Sequence, residues 1–103
     1  MGKRFATAIC GDLWYDDILL RAQELSVDVF LWPLYISYCV HDWEESIKQE
    51  YAQRVAGIDA PVLMINSFLP QKDGAMGGCC VFRSGRVDKE LKMGESGLLF
   101  VEV

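Results

Sequence analysis

The sequence has little of what several large classes of protein require. It contains one histidine and no Cys-x-x-Cys pair, so we expect no structural zinc site. It has 10 Lys and Arg residues and 15 Asp and Glu residues, which gives a net charge of -5. This composition supplies no basic surface for nucleic acid. The longest apolar run, Val29 to Ile36, is too short to span a bilayer and contains Pro33. The first residues show no signal-peptide pattern, so we expect a cytoplasmic protein that binds neither nucleic acid nor membrane.

Apolar residues, by contrast, are abundant for a chain of this size. The chain has 103 residues, of which 51% are hydrophobic, and its mean hydropathy is +0.13. Such a composition excludes disorder, and it supplies more apolar surface than a small isolated domain easily buries. We therefore expect residues 1–103 to form one unit that covers its apolar surplus with a partner, an oligomer or the rest of a larger domain.

The apolar pattern predicts an α/β or layered α+β chain in the order β-α-β-α-β-β-β-β. The second helix is predicted to start at Asp42, which with Glu45 resembles a capping box. Ser84-Gly85 is predicted to be a hairpin turn. The predicted strands are Phe5–Cys10, Val27–Trp32, Pro61–Ile65, Gly78–Phe82, Arg86–Lys92 and Leu98–Val103, and the predicted helices are Asp16–Leu25 and Asp42–Gly57.

Cys10 is the sharpest candidate for chemistry. It ends a predicted buried strand and is followed by Gly11. A nucleophile at a strand-to-helix turn lies near backbone N–H groups and a helix terminus, which stabilise a thiolate and a developing oxyanion. The alternative is that Cys10 is a small buried side chain that only packs, as free cysteines often are. The local pattern leaves both interpretations open.

The other nucleophile and base candidates are weaker. Cys79 and Cys80 lie next to each other in a predicted strand, so they point to opposite faces and are explained by packing. Cys39 lies in a predicted loop with no basic neighbour before it. His41 could act as a base towards Cys10, but an exposed position at the start of a helix explains it more simply.

The sequence around Cys10 resembles a known nucleophile motif. Residues 8–14 read Ala-Ile-Cys-Gly-Asp-Leu-Trp. This string is similar to the motif of the carbon–nitrogen hydrolase (nitrilase) superfamily, in which a strand delivers Ile-Cys, followed by a variable residue and Asp-Leu. Later segments keep the order of that family: a strand ending in Pro33, a helix with Arg54 and Ala56, and a strand ending in Asn66. The resemblance covers essentially the whole chain.

The chain also departs from that family's usual pattern. Gly11 replaces a bulkier residue, Cys79 stands at the usual Ser, and the turn before Gly85 lacks the usual Pro. Gly57 and Ile58 replace the Glu-Asn that often follows the helix motif. These departures indicate a divergent member and weaken any assignment of substrate.

The resemblance implies a fold and a chemistry. The fold would be an α-β-β-α sandwich of the nitrilase type, of which residues 1–103 are the C-terminal half. Cys10 would be the nucleophile that attacks an amide or nitrile through a thioester, and the Gly11 N–H would contribute to the oxyanion hole. Tyr35 and Asn66 would contact the small substrate, and no metal or cofactor would be needed. The family's Glu and Lys belong to the missing N-terminal half, and Lys3 is too close to Cys10 to replace that Lys.

The resemblance also implies partners and leaves alternatives. The N-terminal half would complete the domain, and homo-oligomers would form through the two predicted helices. Without the Glu and Lys, we expect the chain alone to have negligible amidase activity. One alternative is a glutaminase domain that supplies ammonia to a synthetase, because Cys-x-Asp-Leu-Trp is also similar to that branch. The other is a non-catalytic interaction module in which Cys10 is structural.

Overall fold

Five strands form one mixed sheet in the computed structural model, which describes residues 2–102. The strands lie in the sheet in chain order. β1, β2 and β3 are parallel, whereas β4 and β5 are antiparallel to their neighbours. The strands are β1 (Phe5–Thr7), β2 (Val29–Leu34), β3 (Val62–Asn66), β4 (Cys79–Arg83) and β5 (Arg86–Leu91).

Helical segments connect the parallel strands. A 3-10 helix, Cys10–Trp14, directly precedes α1, Asp16–Glu24. The second connection is one helical run, α2, over residues 40–54, which consists of Val40–Asp42, a π-helical segment Trp43–Ile47, and Lys48–Arg54. None of the helices in the described part of the chain is long and apolar enough to cross a membrane.

The two faces of the sheet are covered very differently. Alternate strand residues such as Phe30, Trp32 and Phe82 point to the helix face, where they are buried at 2%, 0% and 1% exposure. There they pack in one cluster with residues of α1 and α2, including Leu19, Ala22, Tyr51 and Ala52. The residues between them point to the other side, which we call the open face, where Ile65 is 48% exposed. The apolar core therefore lies between the sheet and the helices.

The final residues explain why the open face is not uniformly bare. Leu99 and Val101 line a cavity of about 120 Å³ together with Leu63 and Val81 of the open face. Val81 is only 1% exposed, although it lies on this face. The end of the described chain thus lies across part of the open face.

The predicted α/β class and the sequence of elements up to β5 are confirmed, as is the Ser84-Gly85 turn. Both turn residues have positive φ, 51° and 77°, as a two-residue hairpin with a type I′ turn requires. The last predicted strand, Leu98–Val103, is wrong over residues 98–102, and Val103 lies outside the described residues. Exposure nevertheless alternates along this segment. Leu98 and Phe100 are 84% and 80% exposed, whereas Leu99 and Val101 lie against the open face.

The element boundaries also differ at two points that matter for function. The first strand ends at Thr7, not at the predicted Cys10, and Cys10 is instead the first residue of the 3-10 helix. The second helix starts at Val40, so its N-cap is Cys39 and the predicted Asp42 cap is wrong. The Cys39 Sγ accepts a hydrogen bond from the Asp42 N–H at 3.5 Å.

Candidate active site

The parallel strands bring three of the predicted site residues together. β1, β2 and β3 run in the same direction, so the segments that follow them meet at one edge of the sheet. Cys10, Tyr35 and Asn66 line an open cavity of about 350 Å³ at that edge. Its remaining lining residues are Ile9, Pro33, Leu34, Ile65 and Ser67. Gly11 follows Cys10 on the same turn.

Cys10 has the backbone conformation of a sharp bend. Its φ is +52°, in the left-handed region that a residue with a side chain adopts only at a cost of about 1–3 kcal/mol. The preceding Ile9 is extended, and the 3-10 helix Cys10–Trp14 follows at once. We call residues 10–14 the elbow. Such strain persists only where surrounding contacts fix the conformation, and it is common at functional sites.

The Cys10 thiol lies at the cavity and is not enclosed in the core. The residue is partly exposed, and its Sγ donates a long hydrogen bond of 3.9 Å to the Tyr35 carbonyl oxygen. Tyr35 itself is 46% exposed. Cys10 therefore lines the cavity while its sulfur contacts the loop after β2, and the residue also packs against the edge of the core.

Two long-range contacts hold the elbow against the rest of the molecule. The indole Nε1 of Trp32 donates to the Cys10 carbonyl oxygen at 2.8 Å. The Nε of Arg54 donates to the Leu13 carbonyl oxygen at 2.8 Å, and its Nη2 lies 2.9 Å from Asp16. The Arg54 guanidinium also lies over the Trp14 ring, 5.3 Å from its centroid. The elbow is thus fixed by β2 on one side and by α2 on the other.

Sequence reasoning missed these positioning roles of Trp32 and Arg54. Trp32 is predicted only as an apolar strand residue, and Arg54 only as part of a helix motif. Their contacts join positions 22 and 41 residues apart in the chain. A local pattern carries no signal for such contacts, so only the tertiary structure reveals them.

Gly11 leaves the space around its backbone open. A Cβ added at Gly11 would meet no heavy atom within 4 Å, and the residue is exposed. The first N–H groups of a helix have no partner within the helix, and Gly11 is the second residue of the 3-10 helix. Gly11 follows Cys10 in the elbow but is not itself among the residues that line the cavity.

Asn66 is used mainly to hold two loops. Its Nδ2 donates to the carbonyl oxygens of Ile36 and Gly77 at 3.2 and 2.9 Å, which uses both amide hydrogens. Its Oδ1 accepts from the Ile36 N–H at 2.9 Å, and the residue is 7% exposed. Only a lone pair of Oδ1 remains for a ligand, so Asn66 shapes the cavity wall by fixing the loop that carries Tyr35.

A cluster of aromatic side chains around Tyr51 packs against the elbow. Tyr51 stacks on Trp32 at a centroid distance of 5.4 Å, and it meets Trp14 and Trp43 edge to face at 5.2 and 5.3 Å. Burial, and then the neighbouring Tyr38 side chain, raise the pKa of Tyr51 well above its ordinary value of 10.0. Tyr51 is therefore a neutral phenol at physiological pH.

The remaining cysteines and the histidine occupy other environments. Cys80 is 3% exposed, and burial raises the pKa of its thiol to about 12, so it is a packing residue as predicted. Cys39 is exposed and is the N-cap of α2, whereas the sequence predicts only a loop position for it. His41 is exposed in the first turn of α2, as predicted, and its Nε2 lies 2.8 Å from Glu45.

A buried lysine lies outside this site. Lys48 is 7% exposed and its Nζ lies 2.6 Å from Glu44 and 3.0 Å from Glu90. Burial lowers the pKa of Lys48, but the hydrogen bonds and charges of the two glutamates outweigh it, so the net pKa is raised. The ion pairs join α2 to β5 and leave the Lys48 charge committed to a structural role.

Comparison with known proteins identifies the fold. The sequence matches no protein-family model and no curated protein. A glutamine-dependent NAD+ synthetase from Acinetobacter baumannii, solved in complex with ADP, superposes with a TM-score of 0.70 and 20% identity, over 94% of this chain and 19% of that one. A carbon-nitrogen hydrolase from Helicobacter pylori G27 superposes with a TM-score of 0.64 and 17% identity, over 91% of this chain and 38% of that one.

At these identities the similarity shows the fold alone. The chain spans only 19% and 38% of the lengths of these two solved structures. Its five-stranded sheet with helices on one face corresponds to part of a nitrilase-like fold. The structural comparison thus agrees with the sequence motifs, and the chain resembles the carbon–nitrogen hydrolase superfamily in its fold.

Proposed function

We propose that this chain forms the cysteine-bearing half of a carbon–nitrogen hydrolase domain, with Cys10 as the nucleophile. The observation that carries the proposal is the conformation of Cys10: a strained bend, with φ +52°, at the edge of the sheet where the parallel strands end. Its partly exposed thiol lines a cavity of about 350 Å³. The fold resemblance supports the same chemistry.

The proposed reaction uses the thiolate of Cys10. Its sulfur forms a bond to the carbonyl carbon of an amide, and the C=O electron pair moves onto the oxygen. The Gly11 N–H donates to that oxyanion, and removal of one such donor typically costs roughly 100- to 1,000-fold in rate. The intermediate collapses and the C–N bond breaks. The nitrogen takes the proton that the Cys10 thiol gave up, carried by the Glu that the resemblance assigns to the complementary half, and the amine leaves. Water then attacks the thioester, releases the carboxylic acid and restores the thiol.

A nitrile would follow the same first step. The sulfur would bond to the nitrile carbon, and the nitrogen would take up the thiol proton to give a thioimidate. One water would then displace the nitrogen as ammonia to give the thioester, and a second water would release the carboxylic acid and restore the thiol. The resemblance assigns proton transfer to a Glu and charge stabilisation to a Lys in the complementary half of the domain. We therefore expect the chain alone to acylate at Cys10 but to turn over amides negligibly.

The open face supports a partner for this half-domain. Phe5 and Ile65 are 53% and 48% exposed there, and a second sheet packed on this face would bury them. On the helix side, Leu20 and Leu25 of the α1 region are 58% and 49% exposed, which suits the proposed pairing of subunits through the helices. Sedimentation velocity tests this pairing, and a strictly monomeric chain at micromolar concentration would contradict it.

We also propose a cytoplasmic location. All four cysteines are free thiols in the structure. Free thiols are maintained in a reducing compartment, whereas secreted small domains commonly use such residues in disulfides.

Glutamine is the second candidate substrate, with the ammonia passed to a synthetase. The structural similarity to a glutamine-dependent NAD+ synthetase favours it. A diazoketone analogue of glutamine should then label Cys10 faster than the same diazoketone without the amino-acid group. Equal labelling rates would leave the general amidase as the better proposal.

The nucleophile is tested with an activated ester. p-Nitrophenyl acetate should give a stoichiometric burst of p-nitrophenolate and one acetyl group on Cys10. The burst should be lost in Cys10→Ala and retained in the control Cys39→Ala, which removes an exposed thiol at a helix N-cap. An unchanged burst in Cys10→Ala would instead favour the non-catalytic interaction module.

A further inference from the structure

We propose that Trp32 is a positioning residue that aims the Gly11 N–H into the site. The inference rests on the proposed function, since it assigns a role within the same oxyanion hole. Its basis is the 2.8 Å hydrogen bond from the Trp32 indole N–H to the Cys10 carbonyl oxygen.

The geometry of the peptide unit makes this contact directional. In a trans peptide, the C=O of one residue and the N–H of the next lie in one plane and point in opposite directions. Trp32 is 0% exposed, so its indole draws the Cys10 carbonyl towards the core. The Gly11 N–H of the same peptide is therefore turned away from the core. The position that a Cβ would take on Gly11 is also free of neighbours.

Gly11 makes such an anchor necessary. Glycine adopts positive and negative φ about equally well, so the peptide between Cys10 and Gly11 can rotate at little steric cost. Cys10 is itself strained at φ +52°, and rotation of that peptide is a route to a different conformation. Without the indole bond, we expect the Gly11 N–H to sample several directions.

Trp32 is fixed well enough to serve as the anchor. Its ring stacks on Tyr51 with an interplanar angle of 26° and contacts Trp14 at a centroid distance of 6.5 Å. If the Cys10 carbonyl rotated away, a buried indole N–H would lose its partner, which is unfavourable in a protein interior. The hydrogen bond from Trp32 to the Cys10 carbonyl oxygen thus ties the elbow to the packed aromatic cluster.

The test compares two reactions of Cys10 that differ in whether an oxyanion forms. Acetylation by p-nitrophenyl acetate passes through a tetrahedral oxyanion and expels p-nitrophenolate. Alkylation by iodoacetamide forms a C–S bond and expels iodide at a saturated carbon, with no oxyanion. Trp32→Phe keeps an aromatic ring and removes the N–H. It should slow acetylation of Cys10 by about tenfold, less than the loss of an oxyanion donor outright, and change alkylation by less than about twofold.

Trp43→Phe is the matched control. Trp43 is also buried, at 1% exposure, and it also contacts Tyr51 at 5.3 Å, but within the described residues it donates no hydrogen bond to the elbow. Its variant should leave the ratio of the two rates unchanged. Equal slowing of both reactions in Trp32→Phe, or no slowing, would overturn the proposal.

Two further measurements separate the possible failures. If Trp32→Phe does not fold, benzothienylalanine at position 32 replaces the N–H by sulfur at nearly the same volume and should give the same selective loss. If the unaltered chain shows no acetylation at Cys10, the proposed function fails, and the positioning role is read from the Gly11 amide signal by NMR. That signal should be single in the unaltered chain and broadened or multiple in Trp32→Phe; an unchanged signal would contradict the role.

Discussion

Cys10 and Cys80 are the same residue type in two regions that treat a thiol in opposite ways. Cys80 is the second residue of β4, on the helix face of the sheet, at 3% exposure. Cys10 lies three residues beyond the end of β1 and is partly exposed. Its strained bend is fixed by hydrogen bonds to the carbonyl oxygens of Cys10 and Leu13. Packing around Cys80 stabilises the sheet and suppresses the ionisation of the Cys80 thiol. The elbow instead holds Cys10 in a strained backbone conformation that leaves this residue partly exposed.

The largest expected difference between the two regions is in stability. Phe82→Ala, next to Cys80 at 1% exposure, should lower the free energy of unfolding by about 3–5 kcal/mol, because it leaves a cavity in the core. Tyr35→Ala, beside Cys10 at 46% exposure, should change it by less than about 0.5 kcal/mol. Urea denaturation followed by tryptophan fluorescence measures both. Similar losses in both variants would show that the loop beside Cys10 is part of the packed core.

The second difference is in alkaline pH dependence. Burial raises the pKa of Cys80 from 9.0 to about 12. Between these values the unfolded chain releases the proton and the folded chain keeps it, so stability falls as the pH rises, by at most about 1.4 kcal/mol per pH unit. Below pH 9 this contribution is constant.

Cys80→Ala isolates this effect from the titration of Lys48 and Tyr51, which it leaves in place. The variant should lose less stability between about pH 9 and pH 11 than the unaltered chain. Urea denaturation at several pH values gives the slopes. Identical slopes would mean that Cys80 already ionises freely in the folded protein.

The smallest difference is in the response to glycine. At Cys10, with φ +52°, glycine should be more stable than alanine by about 1 kcal/mol, because it removes the strain of the left-handed conformation. At Cys80, in an extended strand, glycine should be less stable than alanine by about the same amount. The four variants form a matched set for thermal or urea denaturation. The same sign at both positions would contradict the strained elbow.

The sequence predicted much of this contrast, for identifiable reasons. Adjacent positions in a strand face opposite sides, so the separate environments of Cys79 and Cys80 follow from local geometry. The turn at Cys10 follows from Gly11 and the resemblance of the surrounding motif. What the sequence could not predict depends on distant contacts. The indole bond from Trp32 and the guanidinium bond from Arg54 join the elbow to positions 22 and 41 residues away.

Two wrong predictions have the same cause. The apolar residues of Leu98–Val103 suit a strand as well as a tail that lies on the open face, and only the tertiary structure distinguishes the two over residues 98–102. Asp42 with Glu45 suits a helix cap, but the helix begins earlier, where the Cys39 Sγ accepts from the Asp42 N–H. In both cases the local sequence pattern is compatible with more than one local structure.

We propose that the elbow presents Cys10 as an activated nucleophile. The most direct measurement is the rate of acetylation of each cysteine by p-nitrophenyl acetate, resolved by peptide mass spectrometry and corrected for the thiolate fraction of each. Free glutathione in the same solution is the reference. We predict that Cys10 exceeds glutathione by at least about tenfold per thiolate, through the Gly11 N–H, while Cys39 matches it and Cys80 stays unmodified. Acetylation of Cys10 no faster than glutathione, or a preference for Cys39, would contradict the account.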